Sequence, residues 1–147
     1  MIQSNYFNDN ADLQQHYNEI VDWKDIIDTY ENDFADAKEY QSSKNLRLEM
    51  APHSHEESLA YYSEILHSAG EIAGKHVSQA ARDIDREGLK FENGNVTHPQ
   101  KMMDVIQKYR EAGLPAVAFR RKYGGLGLPG VVKAMASELM YRGDTSV

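Results

Sequence analysis

Apolar residues return every three or four positions in several stretches of this chain, the spacing that gives a helix one oily face. Leu13, Tyr17, Ile20 and Val21 predict a short helix over Asp12 to Ile20, and Asp22 is placed to cap a second. In that second helix Trp23, Ile26, Ile27, Tyr30, Phe34 and Ala37 line one face, while Asp25, Asp28, Glu31, Asp33 and Asp36 load the other. The best-patterned helix carries Leu59, Tyr62, Leu66, Ala69, Ala73, Val77, Ala80 and Ile84. Ser54-His55-Glu56-Glu57 starts it as a capping box, with Glu57 expected to reach back to the N–H of Ser54, and Gly88 stops it. Its small residues Ala69, Gly70, Ala73 and Gly74 predict a neighbouring helix at close approach. Met102, Met103, Val105, Ile106 and Tyr109 fill another helix, started by Thr97-His98-Pro99-Gln100 and ended by Gly113. A last helix carries Val131, Val132, Met135, Leu139 and Met140, with Pro129 in its first turn and its end near Gly143. Between these, Glu92-Asn93-Gly94-Asn95 signals a reversal and a short hairpin over Leu89 to Val96. Gln41 to His53 lacks a sustained period and reads as a connection laid over the surface.

Arg120-Arg121-Lys122-Tyr123-Gly124-Gly125-Leu126-Gly127-Leu128-Pro129 is a tight joint, since its glycines carry no Cβ to forbid positive φ or close backbone approach. Gly125-x-Gly127-x-x-Gly130 also matches the dinucleotide fingerprint, with Ala116 to Phe119 as the strand before it and Asp144 at ribose distance. The context argues against that reading. The strand is four residues long, follows Pro115, and is separated from the glycines by Arg120 to Tyr123, where a βα turn should be immediate.

Composition adds limits. The 147 residues are 41% hydrophobic and 27% charged, as in a globular domain with one modest core. No apolar run approaches the roughly 20 residues of a membrane helix, and no basic-then-apolar leader opens the chain, so a cytoplasmic protein is expected. The absence of cysteine excludes disulfides and thiolate chemistry. The net charge of −7 is concentrated at the front, where residues 1 to 40 hold two lysines against ten acids. Such a surface repels phosphates, so nucleic acid is not an expected partner. Arg120-Arg121-Lys122 is the one basic cluster and is expected to be a solvated face.

Candidate chemistry is sparse. His53 and His55 with Glu56 and Glu57 form the one cluster suggesting metal, but histidines two apart do not share a helix face and no third ligand is placed. His67, His76 and His98 stand alone and are expected to be structural. Ser137-Glu138 has no histidine partner, and Asp83-Ile84-Asp85-Arg86-Glu87 reads as surface ion pairs. No catalytic, cofactor-binding or metal residue is assigned.

Glu111-Ala112-Gly113-Leu114-Pro115, Phe119-Arg120-Arg121-Lys122-Tyr123-Gly124-Gly125-Leu126-Gly127-Leu128-Pro129, Ser137-Glu138-Leu139 and Asp144-Thr145-Ser146, in this order and spacing, resemble the N-terminal helical domain of the acyl-CoA dehydrogenases. Asp85-Arg86-Glu87-Gly88 resembles the end of that family's first conserved helix, so the resemblance covers about Leu59 to Val147. Arg120-Arg121 departs from it, standing where the family commonly has a proline followed by an acidic residue.

The resemblance implies an all-α fold, with an acidic helical extension and linker at 1–50 and a partial N-terminal domain of the acyl-CoA dehydrogenase type at 51–147. It implies a truncated piece of a parent that desaturates acyl-CoA at the α,β positions, using a carboxylate base and FAD. Base and flavin are held mostly by later domains, so this chain is expected to be inactive alone. The implied partners are those domains, the acyl-CoA substrate and an electron-transfer acceptor, in a parent that forms a homo-oligomer. The alternative is a free-standing interaction module that docks a partner on the face of Trp23, Tyr30 and Phe34. The plainer expectation is that this face packs onto the main domain.

Overall fold

The structure is a computed structural model and describes residues 4–146; Met1 to Gln3 and Val147, at the outer limits of the two expected segments, lie outside the described residues. Helix α4, His55–Ile72, begins where Ser54 Oγ accepts the N–H of Glu57 at 3.1 Å. The other half of the expected capping box is displaced. The Glu57 carboxylate accepts from the N–H of His53 at 2.7 Å, so it serves a free donor one residue earlier than Ser54. A single π turn, Ala73–Val77, joins α4 to α5, Ser78–Glu87, and Gly88 at φ +63 ends the rod. The predicted long helix is therefore one rod with a widened turn.

Strands β1, Lys90–Glu92, and β2, Asn95–Thr97, pair antiparallel with Phe91 opposite Val96. Asn93 and Gly94, both at positive φ, make the two-residue turn that suits the twist of a hairpin. Thr97 does not start the next helix. Its place opposite Lys90 in the hairpin defers α6, Gln100–Glu111, until after Pro99. Gly113, at φ +71, ends α6. Two 3-10 turns, Leu114–Ala116 and Arg121–Tyr123, lead into α7, Gly130–Gly143. Pro129 is extended, at ψ 156, and precedes the first turn of α7 instead of lying in it.

At the front, Asn10 Oδ1 accepts the N–H of Leu13 at 3.2 Å and caps α1, Ala11–Gln15, which widens into a π turn, His16–Ile20. Asp22 caps α2, Trp23–Ile27, through the N–H of Asp25. The expected single helix from Trp23 to Ala37 is interrupted. After a π turn, Asp28–Asn32, the chain turns left-handed before α3, Ala35–Ser43. The 41–53 connection holds a 3-10 turn, Leu46–Leu48, with Leu48 fully buried.

The core is made by α4 lying along α7, with Tyr62, Leu66, Ala69, Val132 and Leu139 all inaccessible to water. Phe7, Leu13, Tyr17 and Ile27 of the front join the same core. Trp23 lies 4.7 Å from the Tyr17 ring and 5.9 Å from Tyr62, and its indole N–H donates to the Tyr17 carbonyl. Phe34 meets the edge of His55. The aromatic face offered as a docking surface is thus packed within the chain, and only Tyr30 keeps over a third of its surface.

The small residues of the α4–α5 rod meet two neighbours: the close helix expected, α7, whose Gly143 lies against Val77 and the Ala73 carbonyl, and a segment from the front of the chain. The Ser4–Phe7 segment crosses at Gly70 and Gly74, where Tyr6 N–H donates to the Gly70 carbonyl at 2.9 Å. The segment is a tight turn, closed by the Asp9 N–H on the Asn5 carbonyl at 2.9 Å, and it brings its backbone against the missing Cβ atoms.

Candidate functional site

The glycine joint folds back on the residues before it. Ala116 to Phe119 is not a strand; it lies in and just after a 3-10 turn. The N–H of Leu126 donates to the Ala116 carbonyl at 3.1 Å, that of Gly127 to Phe119 at 2.9 Å, that of Leu128 to Val117 at 3.0 Å, and that of Gly125 to Arg120 at 3.3 Å. A Cβ on Gly125 would sit 2.2 Å from the Phe119 carbonyl oxygen, while Gly127 requires φ +62 and lies against the Arg121 side chain. The glycines therefore serve the chain's own backbone. A phosphate cradle needs free N–H groups, and these four are already spent, so the residues of this joint do not fit a nucleotide or the pyrophosphate of FAD.

Gly125→Ala should accordingly lower the melting temperature by several degrees, because a methyl group there pushes carbonyl backbone and opens the joint. Thermal unfolding followed by circular dichroism measures it. An unchanged midpoint would show that the joint is open.

The three basic residues of the joint part company. Arg120 and Lys122 are exposed, as a solvated face requires, but Arg121 retains only 3% of its surface. Its Nη1 lies 2.7 Å from Glu31 Oε2 and its Nη2 2.9 Å from Glu31 Oε1, a bidentate pair. Nη1 also reaches Asp36 Oδ2 at 3.3 Å, and Nη2 donates to the Gly127 carbonyl at 2.9 Å. The guanidinium lies 5.5 Å from the Tyr61 ring centre. Tyr61 Oη donates to the Leu126 carbonyl at 2.7 Å, and Tyr62 Oη to Glu31 Oε1 at 2.5 Å. Burial by itself would lower the Arg121 pKa, but the bonds and charge of Glu31 outweigh it and hold the group above its usual value. Glu31, expected on the acidic solvent face, is buried because this guanidinium pays for its desolvation. The signal for it was its spacing, since position 31 lies one turn beyond Ile27 on the same side of the helix.

A cavity of about 440 Å³ opens beside this network, bordered by Thr29, Tyr30, Asp36, Arg120 and Gly127 among others. The arrangement is a clamp. It ties the segment before residue 40 to the joint that precedes α7.

The remaining candidates sit apart. His55 Nε2 is 2.6 Å from Asp28 Oδ1, and among the described residues no group of three His, Asp or Glu side chains is placed to hold a metal. His67 Nδ1 faces the amide nitrogens of Asn8 at 2.9 Å and Asn5 at 3.3 Å, so it accepts hydrogen bonds and anchors the first described segment. Asp83 pairs with Lys101, and Glu138 with Arg142 at 3.4 Å.

Two buried phenols impose a pH limit. Burial pushes Tyr17 up to about 12, and burial followed by the bond to Glu31 and its charge raises Tyr62 as well. Both raised groups favour the folded state while protonated. Their contribution is complete below pH 10 and is lost as pH climbs through the folded values. For Tyr17 the rise from 10.0 to about 12 corresponds to roughly 3 kcal/mol, at about 1.4 kcal/mol per pH unit. Tyrosinate absorbance at 295 nm should show these two phenols ionising last, together with loss of helix. Ionisation of all nine tyrosines near pH 10 with the helix signal intact would contradict it.

Set against known proteins, residues 62–147 match the model of a family described as acyl-CoA dehydrogenase, N-terminal domain. A 3-methylmercaptopropionyl-CoA dehydrogenase of Ruegeria pomeroyi is similar, 31% identical over 98 residues that cover 61% of this chain and 17% of that protein. The chain thus spans less than a fifth of the relative's length. No solved structure matches.

Proposed function

The chain belongs to the acyl-CoA dehydrogenases through their N-terminal domain, and from that premise we propose that it is the helical wall of an FAD-dependent enzyme that desaturates acyl-CoA at the α,β positions. In this reading residues 1–50 are an extension and 51–147 the domain proper. The observation that carries the scaffold role is the joint whose amides are spent internally. It fixes α7 against α4 and leaves the binding of flavin, and the base that removes the α-proton, to other domains of a parent polypeptide. The small fraction of the relative that aligns supports such a parent. The partners are those domains, the acyl-CoA and an electron-transfer acceptor, within a cytoplasmic homo-oligomer. Among the described residues no helix is long and apolar enough to cross a membrane.

The test compares residues 1–147 with the full parent polypeptide, each mixed with FAD and desalted, then assayed for 450 nm absorbance and acyl-CoA-dependent dye reduction. The substrate named for the relative, 3-methylmercaptopropionyl-CoA, is the first to try. The parent should retain flavin and turn over, and the 147-residue chain should do neither. Turnover by the short chain would overturn the scaffold role, and a parent without flavin or activity would overturn the dehydrogenase reading.

A further inference from the structure

Three successive non-glycine residues, Asn32, Asp33 and Phe34, hold φ of 48°, 56° and 56°. Asparagine and aspartate tolerate the left-handed region, but a bulky residue such as Phe34 does so only under constraint from its surroundings. The local sequence asks for something else. Ile27, Tyr30, Phe34 and Ala37 keep helical spacing through the break, and neither glycine nor proline occurs between Asp22 and Ala51. Helix α3 begins with no side-chain cap, and although Asn32 and Asp33 permit a stop, no glycine or proline enforces one at Phe34.

Lys38 pairs with Asp33 at the break and the Phe34 ring meets His55, while Arg121 spans it from outside the segment. Glu31, just before it, and Asp36, just after it, both bond that one guanidinium. In a continuous helix, residues five apart point about 140° away from each other and are separated by about 7.5 Å of rise, so they could not converge on one side chain. The left-handed turn rotates α3 until both carboxylates face Arg121. The π turn immediately before the break loosens the helix at the same place.

We propose that residues 28–36 are a sprung two-state element latched by Arg121. In the latched state the helix is broken as described. In the released state α2 and α3 join into one continuous helix over 23–43, and Arg121 lets go of the Gly127 carbonyl as well as of the carboxylates. The front segment and the glycine joint therefore change together, and whatever draws Arg121 away sets the state of both. This inference does not depend on the flavin chemistry above.

The test is amide hydrogen exchange and backbone chemical shifts by NMR on the full 147-residue chain. In the unaltered protein Ala35, Asp36 and Ala37 head an uncapped helix, so their amides should exchange quickly, and residues 32–34 should show left-handed shifts. In Arg121→Met, exchange at 35–37 should slow at least tenfold and the 32–34 shifts should become helical, with α5 unchanged. Adding Phe34→Gly should bring the break back, because glycine takes the left-handed turn without steric cost and weakens a helix. If Arg121→Met does not fold, Glu31→Gln is read by the same criteria, since it keeps the size of the side chain and removes its charge. Left-handed shifts and fast exchange retained in a folded variant would overturn the latch.

Discussion

Arg121→Met is expected to lower the free energy of unfolding by about 3–5 kcal/mol, the usual cost of removing one partner from a buried ion pair. The loss comes from the group left behind. Glu31 would stay inside with its charge and without the two guanidinium bonds that satisfy it, keeping only the Tyr62 hydroxyl. Urea unfolding followed at 222 nm measures this directly. Two companions make the result interpretable. Lys122→Met, one residue away but exposed, should stay within about 0.5 kcal/mol of the unaltered protein. The double change Arg121→Met with Glu31→Leu should recover part of the loss, because no unpaired charge is then buried, although Tyr62 gives up its acceptor. A loss below about 1 kcal/mol for Arg121→Met would be the value of a surface pair and would contradict the burial described here.

Gly70→Ala should destabilise by about 2–3 kcal/mol, the scale of exposing one large apolar side chain, even though alanine favours an exposed helix interior over glycine by about 1 kcal/mol. The added methyl would stand 2.3 Å from Asn5 Oδ1 and 2.5 Å from the Phe7 nitrogen. It would lift Ser4 to Phe7 off α4, break the Tyr6 bond to the Gly70 carbonyl, and expose Phe7, which now keeps 2% of its surface. The matched control is Gly130→Ala, at the start of α7, where nothing lies within 4 Å of the new atom and no stability should be lost. Thermal midpoints with limited proteolysis of the first ten residues separate the cases. If both alanines raised the midpoint alike, the first segment would not be packed on α4.

The two predictions mark where reading along the chain succeeds and where it stops. Repeats of three and four located the helices because each depends on neighbours within one or two turns. The stops at Gly88 and Gly113, the Asn93-Gly94 reversal and the Ser54 cap followed from residues acting on their own backbone. The family was legible for a similar reason: the resemblance from about Leu59 and the match from residue 62 rest on short motifs in a fixed order. Thr97 was misread because its strand partner, Lys90, outweighed its capping preference.

Glu31 and Arg121 were misread more deeply. Each looks solvated when its neighbours in sequence are all the information used, and they meet across ninety positions. The sequence by itself determined the helical class, the places of most turns and the family, because these are carried by periodicity and local backbone freedom. Only the tertiary structure decided which charges are buried, which segment fills the small-residue surface of α4, and where the second helix breaks. Those outcomes depend on desolvation and on convergence of distant side chains, and a buried charge is stable only beside the partner that the fold brings to it.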